Sequence, residues 1–410
     1  MDLNRLLHRA VELGASDVHL KLGSPPITRR DGDLVALPDA EALTDDDLLA
    51  ALKTVTAKVP RQLEAFEQTG ELDTAYANEL LPRFRVNAFR QRGSISLAFR
   101  MIPRNIPSFE DLQLPAGVAR LAQEHRGLVL VTGATGSGKS TTLASIVGHI
   151  NRTRKQHIVT IEDPIEMMHP DLGCIVNQRE VGVDTESFGQ ALRRALRQDP
   201  DVILIGELRD AETAETAMQA AESGHLVLST MHTVDAAETI GRMVEFFPTP
   251  KQPLIRSILA GVLKGVVSQR LLPKIDGGRV AAVEVMVMND RIADLIRENR
   301  AGDIGSAISE GAFYDMQTFS QALIDLVLNG LIDYEVAANA APNRHDFTIA
   351  MDFAEKARAA STANPALSLR AEPQPEPQPE PAAPAEDPPP PSAAPLRLLR
   401  AEGQGPPPVA

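Results

Sequence analysis

The run Gly133-Ala134-Thr135-Gly136-Ser137-Gly138-Lys139-Ser140 satisfies the spacing G-x-x-x-x-G-K-[ST] at every position. The glycines let backbone N–H groups turn inward on phosphate oxygens with no side chain in the way. Lys139 then reaches the β- and γ-phosphates, and Ser140 offers its hydroxyl to Mg²⁺. The expected cradle for ATP runs from Gly133 to Thr141. A pattern this short recurs by chance, so its context decides. Here it follows "GLVLVT", a strand-like run, and opens "STTLASIVGHI", a helix-like one.

Hydrolysis also needs an acid to polarise the attacking water. "DPDVILIGELRD" ends an apolar run with Glu207, where a carboxylate faces the γ-phosphate. Gly206 stands where a metal-holding Asp is usual, so the metal must be held by other groups or through water. "TIEDPIE" supplies Glu162, Asp163 and Glu166 at the end of another strand, with Pro164 turning the chain at its tip. Ser140, Glu162 and Asp163 are the expected metal ligands. His225 and His232 bracket "LVLSTM" and could sense the γ-phosphate; taken singly, each reads slightly better as a satisfied core histidine.

Elements of the right kind surround these residues. "LVLVT", "HIVTIE", "DVILIG" and "HLVLST" are short apolar runs suited to a parallel sheet covered on both faces. Helical stretches alternate with them, such as "ESFGQALRRALRQ" and "DAETAETAMQAAESG", the second stopped by Gly224. The fold class is α/β, with a nucleotide-binding core over residues 127–345. Its end, with "LIRSILAGVLKGVVSQ" and "YDMQTFSQALIDLVLNGL", is expected to be helical and interrupted by a "DGG" hairpin.

Residues 1–105 read as a smaller α+β domain. It starts with an amphipathic helix, "MDLNRLLHRAVELG", whose charges rule out a signal peptide. Thr44 begins a second helix with acids in its first turn, and "RFRVNAFRQRGSISLAFRMIP" makes two strands joined at Arg92-Gly93-Ser94. Residues 106–126 form a proline-marked linker. Residues 346–410 are expected to be a tail. From about Ala359 onward 15 of 52 residues are proline, a composition that cannot bury enough apolar surface to fold, so disorder is expected there.

Composition removes several classes. No apolar run approaches the roughly 18 residues of a membrane-spanning helix. The single cysteine, Cys174, excludes a disulfide framework and a Cys-rich zinc module, and favours the cytoplasm. A net charge of −14 argues against a broad nucleic-acid-binding surface, so no nucleic-acid partner is expected.

In order along the chain, "ASDVHL", "FRVNAF", "VTGATGSGKSTT", "IVTIEDPIE", "NQREVG", "ALRQDPDVILIGELRD" and "AAESGHLVLSTMHT" resemble the motifs of the PilT-type twitching-motility ATPases, within the type II/IV secretion ATPase superfamily. The resemblance runs from about Ala15 to Asn343. It implies an N-terminal PAS-like domain, a RecA-like core, a homohexameric ring and ATP-driven retraction of a type IV pilus. It places the motor at the cytoplasmic face of the inner membrane, against the pilus platform protein. It makes Glu162 and Glu166 the Asp-box acids, Glu207 the Walker B glutamate, and His225 and His232 the His-box pair. Among Arg83, Arg85, Arg90, Arg92 and Arg100 it singles out Arg85 and Arg100 as arginine fingers. Assembly and secretion members usually add an N-terminal extension and a tetracysteine module, so the retraction branch fits better. The family's A-I-R-N-L-[IL] here reads Arg291-Ile292-Ala293-Asp294-Leu295-Ile296, which points to an accessory motor beside a second retraction ATPase. The alternatives are an assembly or type II secretion ATPase, or an ATP-binding scaffold in a mixed motor.

Overall fold

The structure of this chain, a computed structural model, describes residues 1–363 apart from Asp31, Glu79 and Arg104. The proline-rich segment lies beyond the described residues. Among the described residues no helix is long and apolar enough to cross a membrane.

The first sheet holds β1 (Asp17–Lys21), β2 (Ile27–Arg30), β3 (Asp33–Ala36), β4 (Glu71–Asn78), β5 (Leu81–Gln91) and β6 (Ser94–Met101), in the order β3-β2-β1-β6-β5-β4. Alternation sorts its faces. Val18, Leu20, Phe84, Val86, Ala88, Leu97 and Phe99 are buried in one cluster with residues of the helices Leu3–Glu12 and Asp45–Thr56. Thr44 caps the second helix through a capping box with Asp47, as its spacing predicts. Arg92 (φ 52°) and Gly93 (φ 85°) close the β5–β6 hairpin, because a two-residue turn matched to strand twist needs positive φ. On the other face Arg29, Asp17, Arg100 and Arg85 stand in one register row across β2, β1, β6 and β5.

The second sheet holds β7 (Gly127–Thr132), β8 (His157–Glu162), β9 (Ile175–Glu180), β10 (Val202–Ile205), β11 (Leu226–Met231), β12 (Leu263–Pro273) and β13 (Arg279–Val287). Its order is β13-β12-β7-β11-β10-β8-β9, parallel throughout except for the β12–β13 hairpin. β7, β10 and β11 are buried at every position, the signature of a sheet covered on both faces. The register aligns Thr132 with Met231 and Ile161 with Ile205, so the loops after β7, β8, β10 and β11 emerge along one edge.

The expected linker belongs to this core. Phe109, Val118, Leu121 and Ala122 are buried in the same cluster as the parallel sheet. The helix Ala116–Ala122 sits so close to its neighbours that a Cβ on Gly117 would lie 2.4 Å from the Asp315 carbonyl oxygen.

Two readings of the C-terminal part need correction. The helix Gln252–Val262 ends inside "LIRSILAGVLKGVVSQ", and the chain passes directly into β12. Val266 and Val267 are both fully buried there beside β7, where β-branched side chains on both faces suit a central strand. The "DGG" turn then joins β12 to β13 as expected, with Gly277 and Gly278 at positive φ. Likewise residues 346 onward do not begin as tail. A helix spans Arg344–Ala363, and Phe347 and Met351, one turn apart, are buried with Phe319, Leu323 and Ile332.

Glu284 on β13 is buried and accepts a hydrogen bond from the Ala236 N–H (3.0 Å). Burial raises its carboxyl from 4.5 to about 7, helped by Asp235 and opposed by the Ala236 amide and Arg270. An acid with a raised folded-state pKa binds more protons folded than unfolded, so its contribution is full below about pH 4.5 and is lost as pH rises through 7. Glu284→Gln keeps the acceptor and removes the titration. It should therefore gain stability over wild type between pH 5 and pH 8 by roughly 2 kcal/mol, read as thermal midpoints at the two pH values. Equal pH slopes for the two proteins would contradict this.

Candidate active site

The phosphate cradle is built where β7 ends and the helix Lys139–Thr153 begins. Gly138 caps that helix at φ 91°, ψ 12°, a left-handed conformation that glycine enters freely. A Cβ on Gly133 would lie 2.4 Å from the Gln269 carbonyl oxygen and 2.6 Å from Ser137 Oγ, and one on Gly138 would lie 2.7 Å from Gln269 Nε2. The loop is thus seated on β12. Gln269 Oε1 also accepts a hydrogen bond from Thr142 Oγ1 (2.8 Å), which ties the strand to the first turn of the helix. Ala134, Thr135, Gly136 and Ser140 are exposed, Thr141 is half-buried, and Ser137 Oγ is buried without a hydrogen-bond partner. An open crown over an unsatisfied hydroxyl and a helix N-terminus fits an anionic phosphate.

Lys139 Nζ donates to the carbonyls of Gly133 (2.7 Å) and Ala134 (3.0 Å) and lies 3.4 Å from His232 Nδ1. Burial lowers its pKa, while Glu207 opposes the shift. On the far side of the imidazole, His232 Nε2 lies 3.2 Å from Glu207 Oε1. A histidine with Nδ1 accepting and Nε2 donating therefore links the ammonium to the carboxylate. Arg209 Nε donates to the other oxygen, Glu207 Oε2 (2.8 Å).

Glu162 ends β8 facing the same space. It is buried, and burial raises its pKa against hydrogen bonds from Thr160 Oγ1 (2.6 Å), Gln178 Nε2 (3.1 Å) and the Glu166 N–H (3.3 Å). Asp163 and Glu166 are exposed beside it. Lys139, Ser140, Glu162, Asp163, Glu166, Glu207 and His232 line one cavity of about 600 Å³, with Arg100 on its wall.

A loop of this shape beside facing acids is common to many phosphate-handling proteins, so kinship decides which one this is. The model of the family described as Type II/IV secretion system protein matches residues 1–334. The chain belongs to that family. Within it the chain is PilT-type. It is 45% identical over 349 residues to the type IV pilus retraction ATPase PilT of Pseudomonas aeruginosa, covering 85% of this chain and 100% of the relative. It is 39% identical to the type IV pilus ATPase PilU of the same organism, covering 85% and 91%. Among solved structures, a crystal structure of the pilus retraction motor PilT with bound ADP superposes with TM-score 0.79 at 46% identity, covering 84% of this chain and 98% of that one.

In this PilT-type chain the nucleotide loop, the Asp-box acids, Glu207, His232 and Arg100 meet in one place. Two expected site residues do not join them. His225 precedes β11 at its opposite end, beside Gly127 at the start of β7, roughly 20 Å along the strand from His232. Its Nδ1 lies 2.9 Å from the Ala220 carbonyl oxygen and 3.0 Å from Ser223 Oγ. In a parallel sheet only one strand end shares the edge with the phosphate loop. Arg85 stands beside Arg100 on the same face, but one strand further out, exposed and off the cavity wall. Arg100 is held by Asp17, whose Oδ1 accepts from Nε at 2.8 Å.

Sequence reasoning missed Gln269, Gln178, Arg209 and Asp17. "ASDVHL" and "NQREVG" carried a signal for Asp17 and Gln178, as motifs without an assigned role. Gln269 lay in a segment read as helix.

Among the described residues no group of three His, Cys, Asp or Glu side chains is placed to hold a metal ion. A hydroxyl with nearby carboxylates fits Mg²⁺, which keeps several waters and takes phosphate oxygens as ligands.

Lys139→Ala should abolish triphosphate binding, since among the described residues Lys139 is the one lysine that lines this cavity. Glu207→Gln should bind ATP normally and lose turnover by about 10²–10⁴-fold, the usual worth of a positioned base. Fluorescent-nucleotide binding and phosphate release distinguish the two. Near-wild-type turnover in Glu207→Gln would move the base to Glu162 or Glu166.

Proposed function

We propose that this chain is an ATP-driven motor that retracts type IV pili, acting as a homohexamer on the pilus platform protein at the cytoplasmic face of the inner membrane. The observation that carries the reading is the Lys139–His232–Glu207 chain within a PilT-type sequence. Lys139 exchanges its loop carbonyls for the β- and γ-phosphates of ATP. Glu207 orients and polarises the attacking water, and Glu162 and Glu166 supply further negative charge beside it. Ser140 is the hydroxyl that would hold Mg²⁺ brought with the nucleotide, with Glu162 and Asp163 acting through water, and the ion would supply neutralisation of developing phosphate charge. His232 gives the site a way to report γ-phosphate loss. When Lys139 moves onto the phosphate, the Nδ1 contact weakens and the imidazole is free to shift against Glu207.

Of the arginines near the cavity, we assign transition-state charge to Arg100 and, across a subunit boundary, to Arg85, a role worth roughly 10³–10⁵-fold in rate. Both stand on the N-terminal sheet, so hydrolysis becomes dependent on how that sheet is placed. This converts chemistry into movement between the two halves of the chain.

A second reading, an accessory retraction motor working beside a principal one, is favoured by the helix Asp290–Arg297. Ala293 is buried there, where the family motif carries an arginine, and the exposed Asp294 pairs locally with Arg297 (2.8 Å).

Deletion of the gene tests the direction of movement. Hyperpiliated, non-motile cells are expected. Bald cells would overturn retraction in favour of assembly, and hyperpiliation with residual motility would select the accessory role.

A further inference from the structure

The motif "NQREVG" gives only Gln178 to the site above, yet it forms most of β9 and the turn after it, against the acid-bearing loop. Among the described residues β9 is the edge strand of the parallel sheet, paired only with β8, and its register sets Glu180 beside Glu162. Two of its side chains grip the loop that follows β8. Gln178 Nε2 donates to Glu162 Oε1 (3.1 Å) and to the Met167 carbonyl oxygen (2.9 Å), while its Oε1 accepts from the His169 N–H (2.8 Å). Glu180 Oε2 accepts from the Ile165 N–H at 3.2 Å. The same oxygen accepts from Arg83 Nη2 at 2.7 Å, and Arg83 belongs to β5 of the N-terminal sheet. The Glu180 side chain is 4% exposed and that of Arg83 is 21% exposed.

A carboxylate this deeply buried is costly to leave unpaired, so its two donors are bound to it as a unit. One donor is the backbone of the loop carrying Glu162 and Glu166. The other is the sheet that carries Arg85 and Arg100.

We propose that Glu180 is a positioning residue through which Arg83 couples the N-terminal sheet to the Glu162–Glu166 loop. Displacing the sheet pulls Arg83 from Glu180, releases the Ile165 amide and loosens both acids. The site then has two dependences on the N-terminal sheet, one through the arginines it presents and one through the acids it holds in place. The inference rests on the reading of this cavity as a hydrolytic site, but its structural half can be measured without turnover.

The test uses the full chain with Arg83→Met, which keeps the apolar stem and removes the charge, and Arg83→Lys, which keeps the charge. Hydrogen exchange is followed in the peptide covering residues 162–169, about 80 residues from the substitution in sequence,. Arg83→Met should speed exchange in that peptide by roughly tenfold, the effect of weakening one hydrogen bond. Peptides of β7 and β11 should exchange as in wild type. In the same preparation kcat should fall by roughly 10–100-fold, as for a small misplacement of catalytic groups, with KM for ATP within about threefold. Arg83→Lys should restore most of both. If Arg83→Met cannot be purified folded, Arg83→Lys alone must show the same local pattern at smaller amplitude. Unchanged exchange at residues 162–169, exchange raised throughout the chain, or a raised KM with kcat intact overturns the coupling. A wild-type chain that fails to release phosphate overturns the motor reading instead and leaves the exchange result to decide the coupling.

Discussion

A lysine ammonium largely withdrawn from water, Lys139, sets the terms for everything around it. Burying such a charge is expensive unless donors and acceptors close around it. Here the carbonyls of Gly133 and Ala134, the His232 ring and, beyond it, Glu207 do so. Those groups come from two loops and one strand end, and they meet only because β7, β10 and β11 run parallel and in register. β7, β10 and β11 are therefore buried on both faces as largely apolar runs, and the glycines Gly133 and Gly138 of the phosphate loop stand where Gln269 of β12 leaves no room for a side chain. A triphosphate arriving at the cradle competes for the same ammonium. In the proposed motor, binding would loosen the contacts that Lys139 makes with the loop and with His232, and so carry the presence of a phosphate to Glu207.

The second constraint is that further positive charge is stored on the other sheet. Asp17 holds Arg100 at the cavity wall, and Glu180 holds Arg83 at the domain boundary. Exposed ion pairs contribute little to stability, so the Arg100 pair, with the arginine 71% exposed, is better understood as aiming a side chain than as cement. The Glu180 pair is different, since its acid is buried and shared with a backbone amide. Of these two pairs, the Glu180 pair joins the N-terminal sheet to the core, while the Asp17 pair lies within that sheet and orients Arg100. In the proposed coupling, displacing the sheet strains the Glu180 pair, while the Arg100 pair travels with the sheet.

Much of this was legible in the sequence because its determinants are local. The phosphate loop is eight neighbouring residues, the parallel strands are unbroken apolar runs, and Thr44 with Asp47 spells a helix start. What stayed hidden depends on residues far apart in the chain. Asp17 and Arg100 are 83 positions apart, and Arg83 and Glu180 are 97. No spacing rule reaches that far. β12 was read as helix because a short apolar run with one glycine fits either period, and only its insertion beside β7 makes it a strand. His225 shows the opposite failure. Its spacing from His232 is a true strand length, but parallel strands present a single end to the nucleotide.

The central claim is that this constellation hydrolyses ATP rather than merely holding it. Steady-state phosphate release by the purified full-length chain, with ATP and Mg²⁺ supplied, tests it most directly. The account predicts continuous release that saturates with ATP and far exceeds one equivalent per subunit. Tight ATP binding with release that stops at or below one equivalent would contradict it and leave the chain a nucleotide-binding scaffold.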